Sequence, residues 1–334
     1  MRVFLIFLCT VLCCSCSSPI KFTKLMDQYQ GEPEILLQAE NTLAEIEQNN
    51  PQSPFVDSGK GLLALCAGHI SYSRYTKAAT QKAASFFVKA LQTDPNLFDA
   101  YLNGAYAFLY MPDFRAAESF AKKVKAIDSA SPLLTILYAE IALRDKDYEE
   151  SIKLAQRIIN NETDQNLIIK AHLILLRVYT SLNQPELAYE SYEKLIALRP
   201  KSPWILMACS EFLMKQYEYD KAVEYAEKSL AIRGKVIPEI HDYISDLYVK
   251  QAIDESNRNK QVKSLAALNN AIRHNPKNLQ AYYSLGEKYY RFWEQTKDRR
   301  YLNEAIRYAY KMLEINPTDS DGKNLLEKIY KQLN

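Results

Sequence analysis

One helical pattern recurs along most of this chain, and that self-similarity constrains its fold more tightly than any other feature. The stretches "AYLNGAYAFLYMPDFRAAESFAKKVKAIDS" from Ala100 and "LTILYAEIALRDKDYEESIKLAQRIINNET" from Leu134 match "AYYSLGEKYY" from Ala281, which resumes after an interruption as "YLNEAIRYAYKMLEINP". Each reads as an amphipathic helix, a short polar turn with an aromatic, and a second helix with small residues at spacing four. Phe98, Pro132, Ile169, Pro203 and Ile237 open successive units at intervals of 34, 37, 34 and 34 residues. Equivalent places in the second helices hold Ala117, Ser151, Ala188 and Ala222, and four residues later Ala121, Ala155, Tyr192 and Ala226. Pro95, Pro200, Pro276 and Pro317 close second helices, because a residue without an N–H cannot continue one. With 8 glycines against 24 tyrosines, turn chemistry for sheets is scarce, and an all-α fold is expected.

The pattern resembles the tetratricopeptide repeat (TPR), whose unit has an aromatic at position 4, Leu-Gly near 7 and 8, Tyr at 11, a small residue at 20 and Pro at 32. Ala281, Tyr282, Leu285, Gly286 and Tyr289 fill the signature places of the last unit. Gly286 is expected there, despite its cost of about 1 kcal/mol in a helix, to make room for the paired helix at Ala305. The resemblance implies a right-handed α-solenoid of about seven helix pairs, at about 57–96, 98–131, 132–168, 169–202, 203–236, 237–278 and 279–317. A lone helix, Glu32 to Asn49, precedes the array, and a polar capping helix follows from Asp319 (319–334), since a stack needs a lid over its last apolar face. Insertions between helices are expected at "DESNRNKQ" and "RFWEQTKDRR".

In this family the inner stripe of the first helices lines a groove for partner segments. Carried onto this chain, that groove comprises Tyr106, Tyr110, Arg144, Lys170, Arg177, Trp204, Met207, Lys215, His241, Tyr283, Tyr290 and Arg291. Aromatics, Met and Arg are the residues that interfaces favour. The bland alternative is solvated surface, or packing against the chain's own insertions. Position 5 carries Leu102, Ile136, Leu173, Met207, His241 and Tyr283, so the family's carboxylate clamp for chaperone tails is absent.

The N-terminus, "MRVFLIFLCTVLCCSCSSP", has Arg2, an apolar run of about ten residues, and small residues ending in cysteine. The run suits an export signal and is too short to span a bilayer, which takes about 20 residues. It resembles a lipoprotein signal, which implies cleavage after residue 15, acylation at Cys16 (with Cys14 the competing site) and a flexible tether over 16–31. Ser17 is compatible with an outer-membrane address if the organism has two membranes. Only Cys66 and Cys209 then remain as thiols; they lie about four repeats apart, too far for a disulfide, and read as buried core residues.

A formal charge of +2 gives no case for nucleic acid. No nucleophile elbow, phosphate loop or metal spacing appears, so no catalysis, metal or cofactor is expected. Two roles follow from the resemblance. One is a lipid-anchored adaptor for envelope proteins, assembly with copies of itself staying open. The other is a ligand-binding accessory of a periplasmic solute-binding transporter, with the long apolar first helix "GKGLLALCAGHISYSRY" helping to enclose a small-molecule pocket.

Overall fold

The computed structural model describes residues 9–71, 74–234 and 237–333, with side chains from residue 18 onward. The described residues are almost entirely helical and divide into two units, residues 1–216 with 228–235, and residues 217–227 with 236–334.

The N-terminal unit begins with α1 (Cys9–Gln28) and α2 (Pro33–Asn49), which pack on each other. The helix pairs α3 (Pro54–Ala67) and α4 (Lys77–Thr93), α5 (Phe98–Tyr110) and α6 (Phe114–Ile127), α7 (Pro132–Arg144) and α8 (Tyr148–Asn161), and α9 (Gln165–Ser181) and α10 (Pro185–Leu198) follow. The unit also contains α11 (Pro203–Lys215) and the last turns of α12 (Tyr219–Arg233). Small residues stand where the helices of a pair cross: Ala117, Ala121, Ala155 and Ala188 are all buried. In the third pair Ser151 donates from Oγ to the Ala139 carbonyl at 2.9 Å, tying the start of α8 to the middle of α7.

Two expectations for this unit give way. Residues 18–31, expected to be a tether, are helical through Gln28 and anchored, because Phe22 is an apolar anchor that seats among Leu43, Ile46 and Val56 while Tyr29 packs with Leu36 and Cys66. The acylation expected at Cys16 or Cys14 falls on side chains outside the described set, and the signal's residues 1–8 lie outside the described residues altogether. The apolar first helix of the first pair stops at Ala67, where the Gly68 N–H caps the carbonyls of Ala64 and Leu65. The chain then forms a short antiparallel hairpin, β1 (His69–Ser71) and β2 (Arg74–Tyr75), with His69 opposite Tyr75.

The C-terminal unit holds the first part of α12, then α13 (Pro238–Asn257) with α14 (Gln261–His274), α15 (Leu279–Thr296) with α16 (Arg299–Ile315), and the cap α17 (Ser320–Lys331). The insertion expected near "DESNRNKQ" is not there. Ser264 Oγ donates to the Ala252 carbonyl at 2.6 Å and Ser245 Oγ to the Ala271 carbonyl at 2.8 Å, so the crossing falls later on α13 than a unit starting at Ile237 requires. Asn257 and Gln261 are joined by the same three-residue turn as Arg144 and Tyr148, with left-handed Asn259 in the place of Lys146. The extra residues therefore precede the pair, as added turns at the start of α13. Around "RFWEQTKDRR" there is an insertion, but it lengthens both helices: α15 runs to Thr296 and α16 starts at Arg299.

The cap covers the last pair through Leu325, Leu326 and Ile329. Gly286 serves this contact more than the paired helix. A Cβ there would lie 2.6 Å from Leu325 Cδ2, whereas the Ala305 carbonyl, at 3.7 Å, would be an ordinary neighbour. Cys66 and Cys209 are buried free thiols, as expected.

Candidate functional site

The inner face of the N-terminal unit is not an open groove. After α1 the chain turns at Gly31, whose φ of +115° suits glycine and whose missing Cβ would stand 2.9 Å from Pro203 Cγ. That close approach lets the Trp204 backbone N–H donate to the Gln30 carbonyl at 3.3 Å. The Tyr29 ring meets the Trp204 indole edge to face, centroids 5.2 Å apart.

A continuous run of rings follows. Trp204 lies against His69 at 4.2 Å, His69 against Tyr75 at 5.0 Å, Tyr75 stacks on Tyr110 at 4.7 Å, and Tyr110 on Tyr106 at 6.3 Å. Such pairs add about 0.5–1.5 kcal/mol each beyond their burial. The hairpin is held from beneath by Arg233, only 4% exposed, which donates to the backbone carbonyls of Ile70, at 2.9 Å, and His69. Burial and the Arg233 charge push the His69 imidazole well below its ordinary range, so the ring is neutral.

These elements enclose part of a cavity of about 230 Å³. Its walls come from the N-terminal segment (Met26, Asp27, Tyr29, Gln30), α3 and the hairpin (Leu62, Leu65, Cys66, His69, Tyr75), α5 (Asn103, Tyr106, Tyr110), α7 (Ile136), α9 (Asn166, Ile169, Lys170, Leu173) and α11 (Ser202, Trp204, Ile205). Burial lowers the affinity of Lys170 for its proton and raises that of Asp27, while each is partly compensated by the other's charge. Burial also raises Tyr75 and Tyr106 well above the phenol range and pushes the Cys66 thiol up to about 12, so all three stay neutral.

Of the residues expected in one groove, Tyr106, Tyr110, Lys170 and Trp204 do meet, around this cavity. Behind them Arg144 lies over the Tyr110 ring at 5.2 Å, and Arg177 Nη1 donates to both carboxylate oxygens of Glu140, at 2.8 and 3.1 Å. Met207 is fully buried and belongs to the core, while Lys215 is exposed. In the C-terminal unit the shifted register takes His241 out of the stripe. It sits in the added turns of α13, its Nδ1 3.0 Å from His274 Nδ1; His274 Nε2 in turn lies 2.9 Å from Glu227, which also accepts from the Tyr248 hydroxyl at 2.8 Å. Tyr290 is 1% exposed, because α17 brings Lys328 over its ring at 4.4 Å. Tyr283 is half-buried and Arg291 exposed. No expected groove residue reported on the closing segment: Asp27, Tyr29 and Gly31 lie in a stretch without repeat periodicity, although two aromatics and a glycine within "FTKLMDQYQG" were a signal against a bare tether.

A second depression, of about 1150 Å³ and open to solvent, lies in the C-terminal unit between α14 and α16. Tyr282, Arg307, Tyr308, Tyr310 and Lys311 line it with Ile272 and Leu313. Tyr310 is 52% exposed. Among the described residues no helix is long and apolar enough to cross a membrane, and no group of three or more His, Cys, Asp or Glu side chains is placed to hold a metal.

No protein-family model matches the chain. Over 148 residues it is 26% identical to the type IV pilus assembly protein PilF of Pseudomonas aeruginosa, a match covering 44% of this chain and 58% of that protein. Among solved structures, human IFIT1, in a dimer with m7Gppp-AAAA, aligns over 96% of this chain and 72% of its own with a TM-score of 0.65 and 12% identity. The APC/C hetero-tetramer Cut9-Hcn1 aligns over 96% of this chain and 55% of its own at a TM-score of 0.54 and 13% identity. The chain thus spans little more than half the length of PilF and of the Cut9-Hcn1 chain that it matches. At these identities the structural likeness speaks for architecture, and it agrees with the repeat signature read from the residues. In fold, the chain has the paired-helix repeat architecture of tetratricopeptide-repeat proteins.

Proposed function

We propose that this protein is a lipid-anchored scaffold of the bacterial cell envelope, which holds a partner protein on its repeats and performs no chemistry on it. The observation that carries the reading is the 148-residue similarity to a protein named for pilus assembly. The signal-like N-terminus with Cys16, or Cys14, in a lipoprotein setting supports the anchor and, in an organism with two membranes, the periplasmic face of the outer one.

Because the chain's own residues close the inner face of the N-terminal unit, the docking surface is assigned to the depression between α14 and α16. Tyr310, half exposed there, supplies contact area at low entropy cost, with Arg307 and Lys311 beside it, a composition that interfaces favour. The test has two arms. Replacing Cys16 with Ser is expected to release the protein from membranes; retention with undiminished acyl labelling moves the anchor to Cys14 or removes it. Tyr310→Ala with Arg307→Glu is expected to abolish crosslinking to the envelope partner while the helical signal and melting temperature hold, and undiminished capture would refute the assigned surface.

A further inference from the structure

The cavity of the N-terminal unit carries chemistry that a scaffold does not use. Two of its wall atoms are buried with no hydrogen-bond partner, the Trp204 Nε1 donor and the Asn166 Oδ1 acceptor. Each such orphan costs about 1–3 kcal/mol, so a molecule that satisfies both is favoured. Asn166 and Lys170 are one turn apart on α9 and share a face. Asp27, an exposed residue on the same cavity wall, is opposite in charge to Lys170 and close enough for each to feel the other.

The wall therefore offers one cation, one anion, one donor and one acceptor beside the apolar surfaces of Leu65 and Tyr106. A net anion would face Asp27 and a net cation would face Lys170, whereas a zwitterion meets both. A dry cavity of about 150 Å³ accepts benzene; on that scale the 230 Å³ here takes roughly ten non-hydrogen atoms.

We propose that this cavity binds a free α-amino acid with an apolar side chain, its carboxylate toward Lys170 and the Trp204 N–H, its ammonium toward Asp27 and the Asn166 carbonyl, and its side chain against Leu65 and Tyr106. The site lies within the N-terminal unit and does not depend on the scaffold role.

Calorimetric titration of the full-length protein with L-leucine and L-valine tests it, beside 4-methylpentanoate, which is leucine without the ammonium, and 3-methylbutylamine, which is leucine without the carboxylate. At least one amino acid is expected to bind tenfold or more tighter than either truncated analogue. Lys170→Met and Asp27→Asn are each expected to weaken binding at least tenfold. Trp204→Phe keeps a ring against Tyr29 and removes the donor, and is expected to weaken binding several-fold with the helical signal unchanged. Should Lys170→Met or Asp27→Asn not fold, the ligand series and Trp204→Phe decide. No binding of either amino acid at millimolar concentration overturns the proposal, as does equal binding of 4-methylpentanoate, or a folded Lys170→Met that binds like the parent.

Discussion

Glu140 shows how a single residue sets the limits of mutation on the inner face. It is 1% exposed, and its carboxylate accepts from Nη1 of Arg177, whose side chain is 22% exposed. Removing the arginine strands a buried charge, a loss of about 3–5 kcal/mol for a fully buried pair and somewhat less where one partner reaches solvent. Arg177→Ala is therefore expected to lower the melting temperature far more than Glu140→Gln, and equal shifts in thermal unfolding would contradict that ordering. Arg177→Glu, which sets two carboxylates together, is expected to unfold the unit and so cannot probe a docking surface. His69 gives the pH dependence. Its folded pKa is depressed below the ordinary value near 6.5, so below that pH the unfolded chain takes up a proton that the folded one refuses, and stability falls as pH falls. His172 and His241 are depressed by burial as well and add to the slope. His69→Phe keeps a ring beside Trp204 and should flatten the decline of melting temperature between pH 6.5 and about 5 without abolishing it. An unchanged slope would show that His69 is not the dominant group.

At the scale of elements, two glycines make opposite forecasts. Gly286→Ala asks only the flexible end of Leu325 to move and gains about 1 kcal/mol of helix propensity, so its net effect should be small. Gly31→Ala meets Pro203 at a backbone angle that only glycine adopts freely. It should cost about 2 kcal/mol or more, and hydrogen exchange should show faster exchange at residues 26–31 if that segment is the closure of the cavity. Unchanged protection there would contradict the role given to the turn. The helix pairs themselves were legible because small residues at spacing four and prolines at unit ends each have one structural meaning. The register of α13 was not, because a unit lengthened by eight residues reads the same from sequence whether the extra turns precede or follow the crossing; only Ser245 and Ser264, by the carbonyls they meet, decide it. The closing segment was missed for a related reason: a short apolar anchor such as Phe22 has no period, and its partners Leu43 and Val56 lie in other helices.

Over the whole chain, the fold was readable from repetition while the docking surface was not, since a stripe that lines a groove in one array is covered here by residues 26–31 in one unit and by α17 in the other. Two surfaces with different chemistry remain, an aromatic and basic depression between α14 and α16 and a partly enclosed cavity of mixed charge beneath Tyr29. Photo-crosslinking in living cells separates them most directly, with the reactive side chain placed at Tyr310 in one strain and at Tyr106 in another. Capture of a discrete envelope protein from position 310, with none from position 106, is the expected result. Capture of a protein from position 106 with none from position 310 would contradict it, because it would require the inner face to be open to partners after all.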